Sequence, residues 1–332
     1  MNFRKGLGVL CSLNLLVPSV HALTVPQIEQ EVTTQLASDS TLISGWMTSN
    51  LKNVIPFNST SGNVVPSQLK IFGFEVGAEG VVSDTKMDVD GLHSLPTTLV
   101  DTHSIDMFSR LPFPMVLGHA KIGLPFGFDA GIRVGGIPKT TENSGSRTGS
   151  IQNKVVGLDL RKKIIEEGMA KPFGLTMGLN YTHADGSLDL NNTYNSLTYT
   201  DSQNNTAQIS NGMTNEHADW KTDSIGLQAI LDKQILFITP YVGVSVNRNT
   251  GNINNSITTT GTPEITPSGG SETTGSLLSA TGSSTDPANK WDTRALLGVE
   301  FTFLPFMKLG IGGEYGGSKN VAGDIGLRIQ FR

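Results

Sequence analysis

The chain has 332 residues, a formal net charge of −5, 16% charged and 37% hydrophobic residues, 38 glycines and one cysteine. The negative balance argues against a nucleic-acid partner. No run of about 20 apolar residues is present, so no helix is expected to span a membrane.

The first 22 residues carry the parts of a secretory signal peptide. Arg4 and Lys5 precede a short apolar run over 7–17, and Val20-His21-Ala22 offers a cleavage site near Ala22. Cys11 lies inside the run, after Leu10, where a lipoprotein signal would place a small residue. The mature chain would hold no cysteine, which excludes disulfides and cysteine metal sites.

Residues 23–64 repeat apolar positions by four: Ile28, Val32 and Leu36, then Ile43, Met47 and Leu51. Pro26 suits a helix start. The spacing predicts two short amphipathic helices, a helical lead-in to the rest of the chain or a plug within it. Pro56 and Pro66 bracket a linker.

From residue 65 the period becomes two. Apolar and polar residues alternate over 72–82, 116–124, 128–134, 156–160, 175–181, 225–231, 242–246, 295–303, 307–315 and 325–331. This predicts an all-β, antiparallel transmembrane β-barrel of about ten strands, or twelve if residues 84–112 hold a hairpin. Tilted strands of about 9–11 residues cross a bilayer. The helical segment would then sit against the barrel's periplasmic mouth or plug its interior. The connections alternate as well. Short turns contain 124–127, 165–171, 233–238 and 304–306. Long, Ser/Thr/Asn/Gly-rich connections run over 84–112, 138–152, 187–221 and 249–291, with 317–322 a short exception. These are expected to be solvated extracellular loops, above all SITTTGTPEITPSGGSETTGS at 256–276.

Three features favour the barrel over a water-soluble β-sandwich. The centres of the proposed outer faces hold no charge. Phe72, Phe74, Phe113, Phe126, Phe128, Phe173, Phe237, Tyr241, Phe303, Phe306 and Phe331 gather at the short-turn ends, with Tyr181, Trp220, Trp291 and Tyr315 toward the other, as in two interfacial girdles. The second face is charged in mid-strand, as a lumen tolerates. That expected lumen holds the acids Glu75, Glu79, Asp129, Asp159, Asp232, Glu300, Glu314 and Asp324. Its bases are Lys121, Arg133, Arg161, Arg294, Lys308 and Arg328, with His119 nearby. The signs nearly balance. They can pair across a narrow interior and close it, or line a narrow path for a small solute.

The last twelve residues, VAGDIGLRIQFR, sharpen this into a resemblance. Ile325, Leu327, Ile329 and Phe331 resemble the terminal assembly signal of bacterial outer-membrane β-barrel proteins, with Arg332 following where that family ends on the aromatic. More narrowly, KIGLPFGFDAGIRVGGIP and the closing LPFMKLGIGGEYGG and DIGLRIQF resemble a set of uncharacterised envelope barrels. Those are loosely similar to the long-chain fatty-acid transporter superfamily, which places an N-terminal segment in the barrel. The resemblance implies residence in the outer membrane with both termini periplasmic. It implies as partners outer-membrane lipid, the barrel assembly machinery, and a small solute or lipid ligand.

His183 and Asp185 share one strand face near the long-loop side, where Asp84, Asp88, Asp90, Asp101, His103 and Asp106 also lie. Acid–histidine pairs at a barrel rim resemble the omptin proteases, though here the first pair matches by residue type only and in reversed order. No phosphate loop, nucleophile elbow or metal-ligand spacing stands out, so no enzyme, cofactor or metal is expected. The leading expectation is a passive channel or small-ligand transporter. The alternative is a surface barrel displaying loops for binding or adhesion, and a rim protease is third. A continuous water path would favour the first. A lumen filled by salt bridges or by residues 24–55 would favour the second, and His183 bonded to a first-loop Asp the third.

Overall fold

The computed structural model describes residues 23–331 apart from 63, 67–68, 105–108, 145–146, 169–170, 289 and 318. The expected signal peptide, with Cys11, and Asp106 lie outside the described residues. One helix, α1 (Val25–Thr60), precedes the sheet. The strands are β1 (Phe74–Lys86), β2 (Arg110–Leu124), β3 (Phe128–Ser144), β4 (Arg147–Ile165), β5 (Gly174–Thr200) and β6 (Thr206–Asp232). They continue with β7 (Ile238–Thr266), β8 (Thr273–Thr274), β9 (Leu278–Pro287), β10 (Lys290–Leu304), β11 (Met307–Gly316) and β12 (Val321–Phe331).

Neighbouring strands pair antiparallel, and β12 closes on β1 with Phe331 opposite Phe74. β7 pairs with β10 through its first half and with β9 through its second, so β9 and β10 fill one wall position. The result is a closed ring of ten. Residues 84–112 hold a short helix α2 (Val89–His93) and a 3-10 turn at Thr102–Ser104, and no hairpin among the described residues.

Burial identifies the solvent. On β10, Leu297 is 60% exposed while Arg294 and Glu300 are at most 2% exposed; on β2, Val116 is 65% exposed. A sheet folded in water would reverse this pattern. Apolar outside and charged inside is what a lipid surround selects. Ile325, Leu327 and Phe331 of the terminal strand point outward, but three aromatics expected in the girdles do not: Phe113, Trp220 and Tyr241 are buried, the first two in the interior core with Trp46 and Leu51 of α1. Among the described residues no helix is long and apolar enough to cross a membrane, so the crossing is made by strands.

The loop expectation needs correction. β5, β6 and β7 run for 27, 27 and 29 residues, far beyond the 9–11 or so that cross a bilayer. Most of 187–221 and the first half of 249–291, with the Thr-rich stretch as far as Thr266, are therefore paired strand. Residues 138–144 and 147–152 are likewise strand, in the paired β3 and β4. Thr and Ile favour extended backbone. Every second residue of these segments also has something to cover: Tyr199, Ala207, Ile209, Ile265, Leu278 and Ala280 form a core with Ile28, Val32 and Leu36 of α1. The composition is that of a solvated loop because the other face is solvated.

Two short helices were expected, and one of 36 residues forms. The polar break at 37–42 does not end it, because the barrel supplies partners. Asp39 is fully buried, and its carboxylate accepts the backbone N–H groups of Thr98 (3.1 Å), Leu99 (2.7 Å) and Val100 (3.0 Å). Ser44 donates to the Asn255 carbonyl at 2.7 Å. At the helix start Pro26 occupies the first turn, where its missing N–H costs nothing, and Gln27 accepts the Thr24 N–H at 2.8 Å.

The helix starts among the tips of the long hairpins and ends inside the ring. The chain then descends to the short-turn end, where Phe72 N–H bonds to the Gly123 carbonyl and β1 begins. Met1 and Arg332, the termini expected to be periplasmic, lie outside the described residues. The wall's own ends, Phe74 and Phe331, do meet at the short-turn end. The start of α1 lies at the opposite end.

Candidate functional site in the barrel lumen

The lumen is filled from above by α1 and from the walls by paired charges. The upper half of the helix is flanked by β5–β7 and β9 on one side and by the first long connection on the other. Trp46 Nε1 donates to the Asp88 carbonyl at 2.6 Å, and Asn50 Oδ1 accepts the Asp88 N–H at 2.9 Å. Trp46, Leu51, Val54 and Ile55 form a continuous core with Leu92, Phe113, Leu117, Trp220 and Ile253.

The end of the helix is gripped by two arginines. Arg133 on β3 donates to the Ser59 carbonyl at 3.0 Å, the Ser61 carbonyl at 3.2 Å and Thr182 Oγ1 at 2.7 Å. A cation there also complements the negative end of the helix dipole. Arg294 on β10 donates to Ser61 Oγ at 3.1 Å and to Thr60 Oγ1, and lies 4.2 Å over the Phe57 ring. Its charge is met by Asp292 at 2.5 Å and Glu314 at 2.8 Å. Glu314 also accepts the Gly62 N–H at 2.8 Å. Gly62 has φ +85°, and a Cβ there would lie 2.7 Å from Val81 and 2.8 Å from Glu79, so the exit from the helix requires glycine.

Below the helix end an ion chain crosses five adjacent strands. Lys121 on β2 pairs with Glu75 on β1 at 3.5 Å, and Glu75 with Arg328 on β12 at 3.3 Å. Arg328 reaches Glu300 on β10, which pairs with Lys308 on β11 at 2.6 Å. His119 Nε2 lies 3.4 Å from Glu75. On the other side Arg161 pairs with Asp159 at 3.2 Å and donates to the Val65 carbonyl at 2.5 Å, while Lys163 bridges to Asp232 at 2.6 Å. Buried charge is tolerable only with partners of this kind.

Every charge assigned to the lumen from the sequence faces inward. Asp324 is half-buried. Glu75, Glu79, His119, Lys121, Asp129, Arg133, Asp159, Arg161, Asp232, Arg294, Glu300, Lys308, Glu314 and Arg328 are buried. Asp39, Phe57, Lys163 and the inward neutral amides were not among the expected lumen residues. Asn180, Gln228 and Asn247 share inward parity with neighbouring lumen positions, a signal present in the sequence but passed over for want of charge.

The acid–histidine rim is not assembled. His183 Nδ1 lies 2.9 Å from Asp223 on the outer wall, beside Tyr181, whose hydroxyl donates to the same carboxylate at 2.5 Å. The first-loop acids are engaged elsewhere: Asp84 pairs with Arg110, Asp88 caps α2 through the Gly91 N–H, and Asp101 accepts the His103 N–H. Among the described residues no group of three potential metal ligands converges. In the extension beyond the lipid band, a hydrogen bond with His217 at 2.6 Å holds Asp189 below the usual carboxylate range.

Residues 71–331 match the sequence model of a family described as Family of unknown function (DUF6588). The chain belongs to this family. Its closed wall and its burial pattern make this member a transmembrane β-barrel. No curated protein matches the chain. Among solved structures, it is similar to Neisserial surface protein A, at 14% identity over 78% of this chain and 97% of that one, with a TM-score of 0.28. It is similar to the outer membrane protease OmpT from Escherichia coli, at 8% identity over 82% and 100%, with a TM-score of 0.40. It is also similar to the Ralstonia pickettii toluene transporter TbuX, at 10% identity over 83% and 94%, with a TM-score of 0.29.

Proposed function

We propose that this barrel is closed at rest and works at the cell surface, with its short-turn end periplasmic and the β5–β7 extension presented outward to a binding partner. The observation that carries this reading is α1 itself. It gives the extension a hydrophobic core and at the same time blocks the ring. A two-sided β-ribbon of this length would be floppy without a core; packed on a helix it is preorganised, which lowers the ordering cost of binding. Its outer face is rich in Asn, Thr and Ser, a hydrogen-bonding surface. This reading displaces the passive channel as the leading one, because ion flow needs a continuous wet path and both helix and ion chain stand in it.

The test is conductance of the refolded mature chain in a planar bilayer. The same chain carries Thr48→Cys and Ser284→Cys, whose hydroxyls lie 3.2 Å apart, so that oxidation locks the helix to β9. Silence in both redox states is the expected outcome. Steady conductance, or conductance that oxidation abolishes, would overturn the closed-barrel reading.

A further inference from the structure

On the outer face of the wall, three adjacent strands carry glycine in place of a large apolar residue: Gly80 on β1, Gly323 on β12 and Gly313 on β11, the last two directly opposite each other. A Cβ at Gly80 would meet nothing within 4 Å. A groove of about 530 Å³ runs here, lined by Gly80, Val82, Pro114, Ile311, Gly323 and Ile325. Asp324 reaches its floor from the lumen side, but its surface is mostly apolar. In a bilayer such a groove takes up hydrocarbon, because an empty one forfeits the contacts of its lining.

Above the groove the wall turns basic. Lys86 and Arg110 are exposed and stand directly opposite each other at the ends of β1 and β2. Like charges so placed repel. Asp84 engages Arg110 at 2.8 Å, and Lys86 is left with no ion pair among the described residues. The β11–β12 connection brings the exposed Lys319 to the same rim, because Val321 stands opposite Asp84. The height is that of lipid headgroups. From Phe74 in the short-turn girdle to Lys86, a strand tilted by about 40° climbs about 30 Å, and the apolar band of such a barrel is about 25 Å tall. Tyr315, opposite Val321 and 52% exposed, marks the upper girdle at this level.

We propose that this face is a binding site for one phosphorylated lipid of the leaflet at the long-loop end, its phosphate held by Lys86, Arg110 and Lys319 and one acyl chain lying in the groove. The phosphate supplies the counter-charge that the opposed cations lack, and the chain fills the space the glycines leave. The site is on the outside of the wall, so neither an open nor a closed lumen bears on it.

The test is native mass spectrometry of the refolded mature chain, released from detergent micelles doped with dimyristoyl phosphatidic acid or with dimyristoyl phosphatidylcholine. The expected result is one phosphatidic acid per barrel, retained roughly fivefold or more over phosphatidylcholine. Retention should fall by a similar factor in Lys86→Gln/Lys319→Gln, which removes headgroup charge, and in Gly80→Leu/Gly323→Leu, which fills the groove. Equal retention of the two lipids, or either variant retaining lipid as the native chain does, would overturn the proposal. Loss of the lipid to inorganic phosphate would make the rim a site for a free anion and overturn it too. So would a dimer that forms in place of lipid and is abolished by the leucine variant, which would make the face an interface between copies of this chain. Heat-modifiable gel migration checks folding. Should the leucine pair fail to fold, Gly80→Leu alone serves, since a Cβ there meets no neighbour.

Discussion

Arg133 and Arg294 reach Ser61 from opposite walls. Their strands, β3 and β10, stand five positions apart in the ring of ten, and one guanidinium takes the Ser61 carbonyl while the other takes its hydroxyl. The helix end is thus clamped across the full width of the barrel. Replacing both arginines by alanine should free it, and single-channel recording should then show brief openings absent from the native chain. Arg294→Met alone should lower stability by about 3–5 kcal/mol, because it strands a buried carboxylate. Denaturant unfolding in detergent measures it.

Asp39 ties the helix to the first long connection through three successive backbone amides. Hydrogen bonds to a charged acceptor contribute about 1.5–3 kcal/mol each at most, and not additively. Asp39→Ala should release residues 94–104 from the helix. Limited proteolysis should cut there at least several-fold faster, with the barrel otherwise protected.

Thr24 marks the outer end of the helix. If the short turns face the periplasm, this residue faces the medium although the wall begins and ends on the other side. With Cys11 in the expected leader, Thr24→Cys would be the one thiol of the mature chain. A membrane-impermeant maleimide should label it on intact cells. Labelling only after lysis would invert the orientation.

Glu216 lies in the extension, facing inward, with Asn255 donating to it at 3.0 Å. Burial pushes its carboxyl up to about 7, against an ordinary 4.5, and the Asn255 bond only partly offsets this. The folded state therefore holds the proton more tightly than the unfolded one. Its contribution is complete below about pH 4.5, falls as pH rises toward 7, and is level above. The total is of order 3 kcal/mol. Glu216→Gln should flatten this part of the profile and be the more stable protein at pH 8, as urea unfolding at pH 5 and pH 8 would show.

The wall was legible from local pattern. Parity along 72–82 or 295–303 depends only on which neighbour each residue has, and a period of two with charge on one face and oil on the other has few solvents that suit it. The inward charges followed from the same parity. The amides of β5–β7 obeyed it too, but neutral groups carry no sign to draw the eye. The Thr-rich segments misled because composition reports one face of a strand, and here the other face packs on a helix some 200 residues away in sequence.

The number of wall strands, their inward and outward faces, and the amphipathic spacing of residues 28–51 were all written in local sequence. Each is a short-range property, set by the geometry of an extended or helical backbone. That one helix runs through the ring, that it starts at the far end, and which arginines hold it were decided only in three dimensions. Those depend on partners brought together by closure of the barrel, and nothing within a window of ten residues encodes them.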